Sequence, residues 1–133
     1  MLVVEPGIAP YEKEINGLKE MQDVVGGLIQ AIYPYQEPVA IVCNEEGLLL
    51  QLPFNRSVEG GYGGVFGTFF VCGLGEENFW SLTPAQVKTF KQKFQHAEIL
   101  LAVKGNDLET LKVPARPKAP PQPKGRDKPM ERG

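Results

Sequence analysis

Three short apolar runs constrain this chain more than any catalytic motif does. They are Val39-Ala40-Ile41-Val42-Cys43, Leu48-Leu49-Leu50-Gln51-Leu52 and Phe69-Phe70-Val71-Cys72. Each has strand length, far short of the roughly 18 apolar residues that span a bilayer. Asn44-Glu45-Glu46-Gly47 joins the first two with the length and terminal glycine of a hairpin loop. The second run leads through Pro53 and Phe54 to Asn55-Arg56 and then to Glu59-Gly60-Gly61-Tyr62-Gly63-Gly64. This segment predicts a hairpin, a mobile glycine loop and a return strand.

Elements on either side complete the pattern. Leu2-Val3-Val4 predicts a first strand, Pro6-Gly7 a turn, and the alternation from Tyr11 to Ile15 an exposed strand beside the first. Leu18, Met21, Val24 or Val25, and Leu28 recur at helical spacing. They place a helix at about Leu18 to Val25, stopped by Gly26-Gly27. Leu28 to Tyr33 reads as a strand. Gly73 to Trp80 reads as a loop whose Phe79 and Trp80 pack on the sheet. Thr83, Pro84 and Gln86 spell a capping box with proline at the first helical position, and Leu82 can staple onto Val87. Val87, Phe90 and Phe94 then form an apolar helix face opposite Lys88, Lys91 and Lys93. Ala97 to Val103 predicts a last strand. The expected fold is a single α+β domain over residues 1–112, with two helices and a mixed or antiparallel sheet.

From residue 113 the composition changes to Pro, Lys, Arg, Gly and Ala without apolar periodicity, which predicts a disordered, basic, proline-rich tail over 113–133. Pro117-Lys118-Ala119-Pro120 within it has the P-x-x-P form. The tail holds six basic and two acidic residues, a net +4, so the whole-chain charge of −2 leaves −6 on the remainder. An acidic domain argues against binding duplex nucleic acid. Mean hydropathy is −0.19, with no transmembrane run and no secretory signal at the N-terminus. Cys43 and Cys72 each sit in a β-type run, outside any Cys/His cluster. They are expected to be reduced and buried, as in a cytoplasmic protein, without a structural zinc site.

No catalytic signature emerges. The single histidine, His96, stands at the expected end of the second helix, where a cation answers the helix dipole. The glycine loop lacks the Gly-Lys-Ser/Thr of a phosphate-binding P-loop. Glu45-Glu46 and Glu76-Glu77 are turn acids. What remains is a binding constellation. Arg56 offers a planar fork for phosphate or carboxylate, and Asn55 an amide for a base edge. Gly60, Gly61, Gly63 and Gly64 offer bare backbone N–H groups, with Thr68 close by. Tyr62, Tyr33 and Tyr35, with Phe54 and Phe66, offer stacking surfaces. Together they suit a small anionic aromatic ligand such as a nucleotide, held at a subunit interface without metal or cofactor. The competing reading is structural: Arg56 pairs with a local Glu, Asn55 caps a turn and the aromatics are core.

Several motifs carry a resemblance: Glu5-Pro6-Gly7, Ala31-Ile32-Tyr33-Pro34, Asn44-Glu45-Glu46-Gly47, Leu52-Pro53-Phe54-Asn55-Arg56 and Gly67-Thr68-Phe69-Phe70. Over about residues 2–95 the chain resembles a family of small proteins, a "domain of unknown function", carried by bacteriophages and conjugative elements. It departs from that pattern at Glu59 to Gly64, which replaces a more polar, Asp-rich connection. The resemblance implies a mobile-element accessory protein in a bacterial cytoplasm. Such a protein would counter host defence by sequestering a nucleotide-like signal. Alternatively it would be an acidic interaction module that blocks a host defence protein, or a nucleotide hydrolase using Glu45 or Glu46.

Overall fold

The computed structural model describes residues 1–119 apart from Glu77 and Asn106. The fold is α+β: two helices and antiparallel strand ladders. The principal sheet has the order β2-β1-β7-β4-β3, from β2 (Tyr11–Glu12), β1 (Leu2–Val4), β7 (Phe69–Leu74), β4 (Val39–Asn44) and β3 (Ile29–Ile32); β8 (Phe79–Trp80) pairs with the end of β7. Two further hairpins stand apart, β5 (Phe54–Val58) with β6 (Gly63–Phe66), and β9 (His96–Lys104) with β10 (Asp107–Pro114).

Alternation along the central strands builds two cores. Leu2, Val4, Val39, Ile41, Phe69 and Val71 point to one face, where they meet Val58 and Val65 of the β5–β6 hairpin and Phe90 and Phe94 of α2 (Pro84–Lys93). Val3, Ala40, Val42, Phe70 and Cys72 point to the other, where they meet Val25 of α1 (Gly17–Val25) and Ile15. Burial on both faces is what makes these runs continuously apolar. Cys43 and Cys72 are free and buried, and burial pushes their thiols up to about 11 and about 12.

The local signals for the helices hold. Gly26 ends α1 in the left-handed region at φ 80° and donates to the Gln22 carbonyl. At α2 the Thr83 Oγ1 accepts from the Gln86 N–H at 3.2 Å, and the Gln86 Oε1 accepts from the Thr83 N–H at 2.9 Å.

Four expectations are corrected. Leu48 to Leu52 is a helical turn, not a strand. The Leu50 N–H reaches the Glu46 carbonyl at 2.8 Å and the Leu52 N–H that of Gly47 at 3.0 Å. Both edges of β4 are already taken, by β3 and β7, so the leucine run has no edge to pair with. Asn55-Arg56 lies inside β5, because β5 and β6 form a hairpin across Glu59 to Tyr62. The exposed second strand is only Tyr11–Glu12, and Ile15 turns inward to the α1 core. Finally, the chain does not unravel at residue 113. Val113 pairs with Ala97, Pro114 with His96, and Arg116 forms a parallel bridge to Ile8. The rest of the expected disordered tail, from residue 120, lies outside the described residues.

Candidate functional site

Arg56 and Asn55 are fully buried. The Arg56 guanidinium is wrapped in oxygen acceptors from separate parts of the chain. Its Nη2 donates to the Ile8 carbonyl at 2.8 Å and the Phe94 carbonyl at 3.0 Å, and its Nη1 to the Asn55 Oδ1 at 2.8 Å. Burial lowers its pKa from the ordinary arginine value, and the charge of Glu98 opposes that fall. Glu98 itself accepts from the Ser57 N–H at 3.1 Å and the Ser57 hydroxyl at 2.7 Å. The Asn55 amide donates to the Val4 carbonyl at 2.8 Å and the Gly67 carbonyl at 2.9 Å. This pair clamps the N-terminal segment, the C-terminal end of α2 and the β6–β7 turn to β5. Neither side chain has an open face for a ligand.

The other expected site residues divide into two groups. Gly60 and Gly61 form the tip of the β5–β6 hairpin, with φ 76° and 83°, conformations that favour glycine. Gly60 packs against Pro34, and the Tyr62 hydroxyl lies 3.5 Å from the Tyr33 N–H. Tyr62, Gly63 and Gly64 line a cleft of about 370 Å³ closed by Gln30, Leu48 and Leu108. Among the described residues, no Lys, Arg or His lines it. Tyr35 sits elsewhere, its ring on Phe90 with 5.1 Å between centroids and the Lys93 ammonium above it. Lys93 also pairs with Glu59. Thr68 is half-buried in the β6–β7 connection. Phe54 and Phe66 stack edge-on with each other across the hairpin.

Three surface features escape the sequence reading. The leucine turn presents Leu48, Leu49 and Leu50 to solvent at 70%, 77% and 53% exposure. Its Gly47 packs closely on β6, since a Cβ there would fall 2.5 Å from the Phe66 carbonyl oxygen. On β9, Ile99, Leu101 and Val103 are exposed, with Leu111 exposed opposite Ile99. The third feature is an open groove of about 640 Å³ between β8 and the start of α2, flanked by Trp80. Of the pair expected to pack on the sheet, Phe79 does so, against the core on the α1 side, whereas Trp80 pairs with Gly73 through its backbone and leaves its side chain 61% exposed. The glycines at 73 and 75, just before an aromatic pair, were the available signal.

Among the described residues, no three or more His, Cys, Asp and Glu side chains gather as metal ligands, and no helix is long and apolar enough to cross a membrane. His96 is exposed at the start of β9. No curated protein and no solved structure matches the chain. One family does, described only as a domain of unknown function, DUF3846, and it covers residues 1–95. That span takes in both helices, the principal sheet and the Arg56 clamp, and stops before the β9–β10 hairpin. The chain therefore belongs to the DUF3846 family.

Proposed function

We propose that this chain is a non-enzymatic interaction module, an accessory protein of a bacterial mobile element that occupies a surface on a host defence protein in the cytoplasm. The observation that carries this reading is the leucine turn. Three adjacent large apolar side chains stand in water on a hydrogen-bonded turn, beside the exposed carboxylates of Glu45 and Glu46. Leaving such groups exposed forgoes burial energy, and clustered exposure of this kind marks interaction sites. Residues 1–112 carry a net −6, which suits a basic partner surface approached by electrostatic steering. The mobile-element setting comes from the family resemblance.

The test is association of the purified protein with host proteins recovered on it, repeated with each purified partner at low and high salt. Leu49→Glu is expected to weaken the complex by roughly tenfold or more, as for a central apolar contact. Its thermal midpoint should stay near wild type, since substitutions at exposed positions shift stability by only about 0.5 kcal/mol. Equal binding by wild type and Leu49→Glu, or no salt dependence, would sink the reading.

Sequestration of a nucleotide-like ligand is a second reading. The observation that favours it is the pair of grooves beside Tyr62 and Trp80, and it draws no support from Asn55 or Arg56. A hydrolase using Glu45 or Glu46 has less behind it, because both acids are exposed in a turn.

A further inference from the structure

We propose that the groove beside Trp80 binds a nucleobase, stacking the ring on the indole and leaving any attached phosphate in water. This inference is independent of the protein-partner reading. Trp80 is the only tryptophan in the chain. Its indole is seated on the bare backbone of Gly75, where an added Cβ would fall 1.7 Å from Nε1. Glycine at 75 therefore fixes where the ring lies, while most of the side chain stays in contact with water. Aromatic platforms of this sort accept any base, since every base has a π-face.

The rim supplies the rest. Asn78 carries an amide, Ser81 a hydroxyl and Glu76 a carboxylate, all lining the groove with Pro38. Gln86 gives its Oε1 to the Thr83 N–H, which leaves its amide NH2 as a donor. Amides place a donor and an acceptor side by side, the pattern that reads a base edge, and a carboxylate accepts from an exocyclic amine. A volume of about 640 Å³ lies within the range of small-molecule sites. Phosphate recognition is missing from the same rim. Among the described residues, no Lys, Arg or His lines the groove. At the start of α2, Pro84 has no N–H and the Gln86 N–H is taken by the Thr83 Oγ1. The ligand class is thus a nucleobase or nucleoside recognised through its ring.

The experiment is calorimetric titration of the full chain with adenosine, guanosine, cytidine, uridine and their 5′-monophosphates, with Trp80 fluorescence recorded in parallel. The expected result is saturable heat and a saturable fluorescence change with at least one base. A nucleoside and its monophosphate should then agree within about threefold, because exposed charges contribute little without a partner. Trp80→Leu and Asn78→Ala should each weaken binding by roughly tenfold, measured by calorimetry. Both positions are on the surface, so their thermal midpoints should match wild type and separate lost binding from lost folding. The proposal is overturned if no compound in the panel saturates, if a monophosphate binds more than about threefold tighter than its nucleoside, or if either variant binds as wild type does.

Discussion

Arg56 shows how a residue with the chemistry of a ligand-binding group can become a structural one. A guanidinium has five N–H donors, and burying it is tolerable only when those donors are met. Here carbonyls from Ile8 and Phe94 and the side chain of Asn55 meet them, and Glu98 lies near enough to act through its charge. Arg56→Ala would leave these acceptors buried and unpaired, so we expect a loss of about 3 kcal/mol or more, measured by denaturant unfolding. Arg56→Lys should recover little, because a point charge cannot reach the same spread of acceptors. A wild-type midpoint for Arg56→Ala would show that the clamp is dispensable. None of this was legible in the run Leu52-Pro53-Phe54-Asn55-Arg56. The Phe94 and Ile8 carbonyls lie 38 and 48 residues away in sequence, and only the fold brings them to Arg56.

At the scale of elements, two local signals were read correctly. The capping box at Thr83 is complete within four residues, and the continuous apolar runs of β4 and β7 are strands buried on both faces. Thr83→Ala should cost about 1 kcal/mol, seen as a lower thermal midpoint, while Thr83→Ser should cost far less. Elements whose pairing depends on distant strands were misread. The leucine run has the composition of a strand, yet β3 and β7 hold both edges of the strand before it. In β10, Leu108 and Leu111 fall on opposite parities, and a register shift between Glu109 and Thr110 breaks the ladder, so the sequence shows no clean alternation. The Trp80 groove was hidden for a related reason. It depends on Gly75 lying beneath an indole five residues later, and spacing alone does not reveal that contact.

For the whole molecule, the N-terminal segment and the chain beyond β10 are joined at one carboxylate. Lys118 pairs with Glu5 at 2.8 Å and lies over the Tyr11 ring, while the Tyr11 hydroxyl donates to the same carboxylate. Partial burial alone would raise the Glu5 pKa, but its Lys118 and Tyr11 hydrogen bonds outweigh that and hold it below the ordinary glutamate range. A carboxylate lowered in the folded state stabilises fully above its unfolded value and loses that contribution as pH falls through the folded one. Stability should therefore hold near neutrality and drop below about pH 4.5. Lys118→Ala should flatten part of that acid limb in thermal midpoints measured from pH 7 to pH 3. An unchanged acid limb in the variant would mean that the contact contributes nothing.

The place of β7 has a consequence for how the polypeptide acquires its shape during synthesis. β1 with β2, and β3 with β4, are each assembled from neighbouring sequence, but the two pairs touch only through β7. Until Leu74 has left the ribosome, the sheet cannot be completed, because the strand that stands between β1 and β4 is missing. Arrival of β7 closes both edges in one event, against β1 on one side and β4 on the other. Contacts that join residue 2 to residue 71 carry a large loop-closure entropy, which places this protein among the slower-folding small domains.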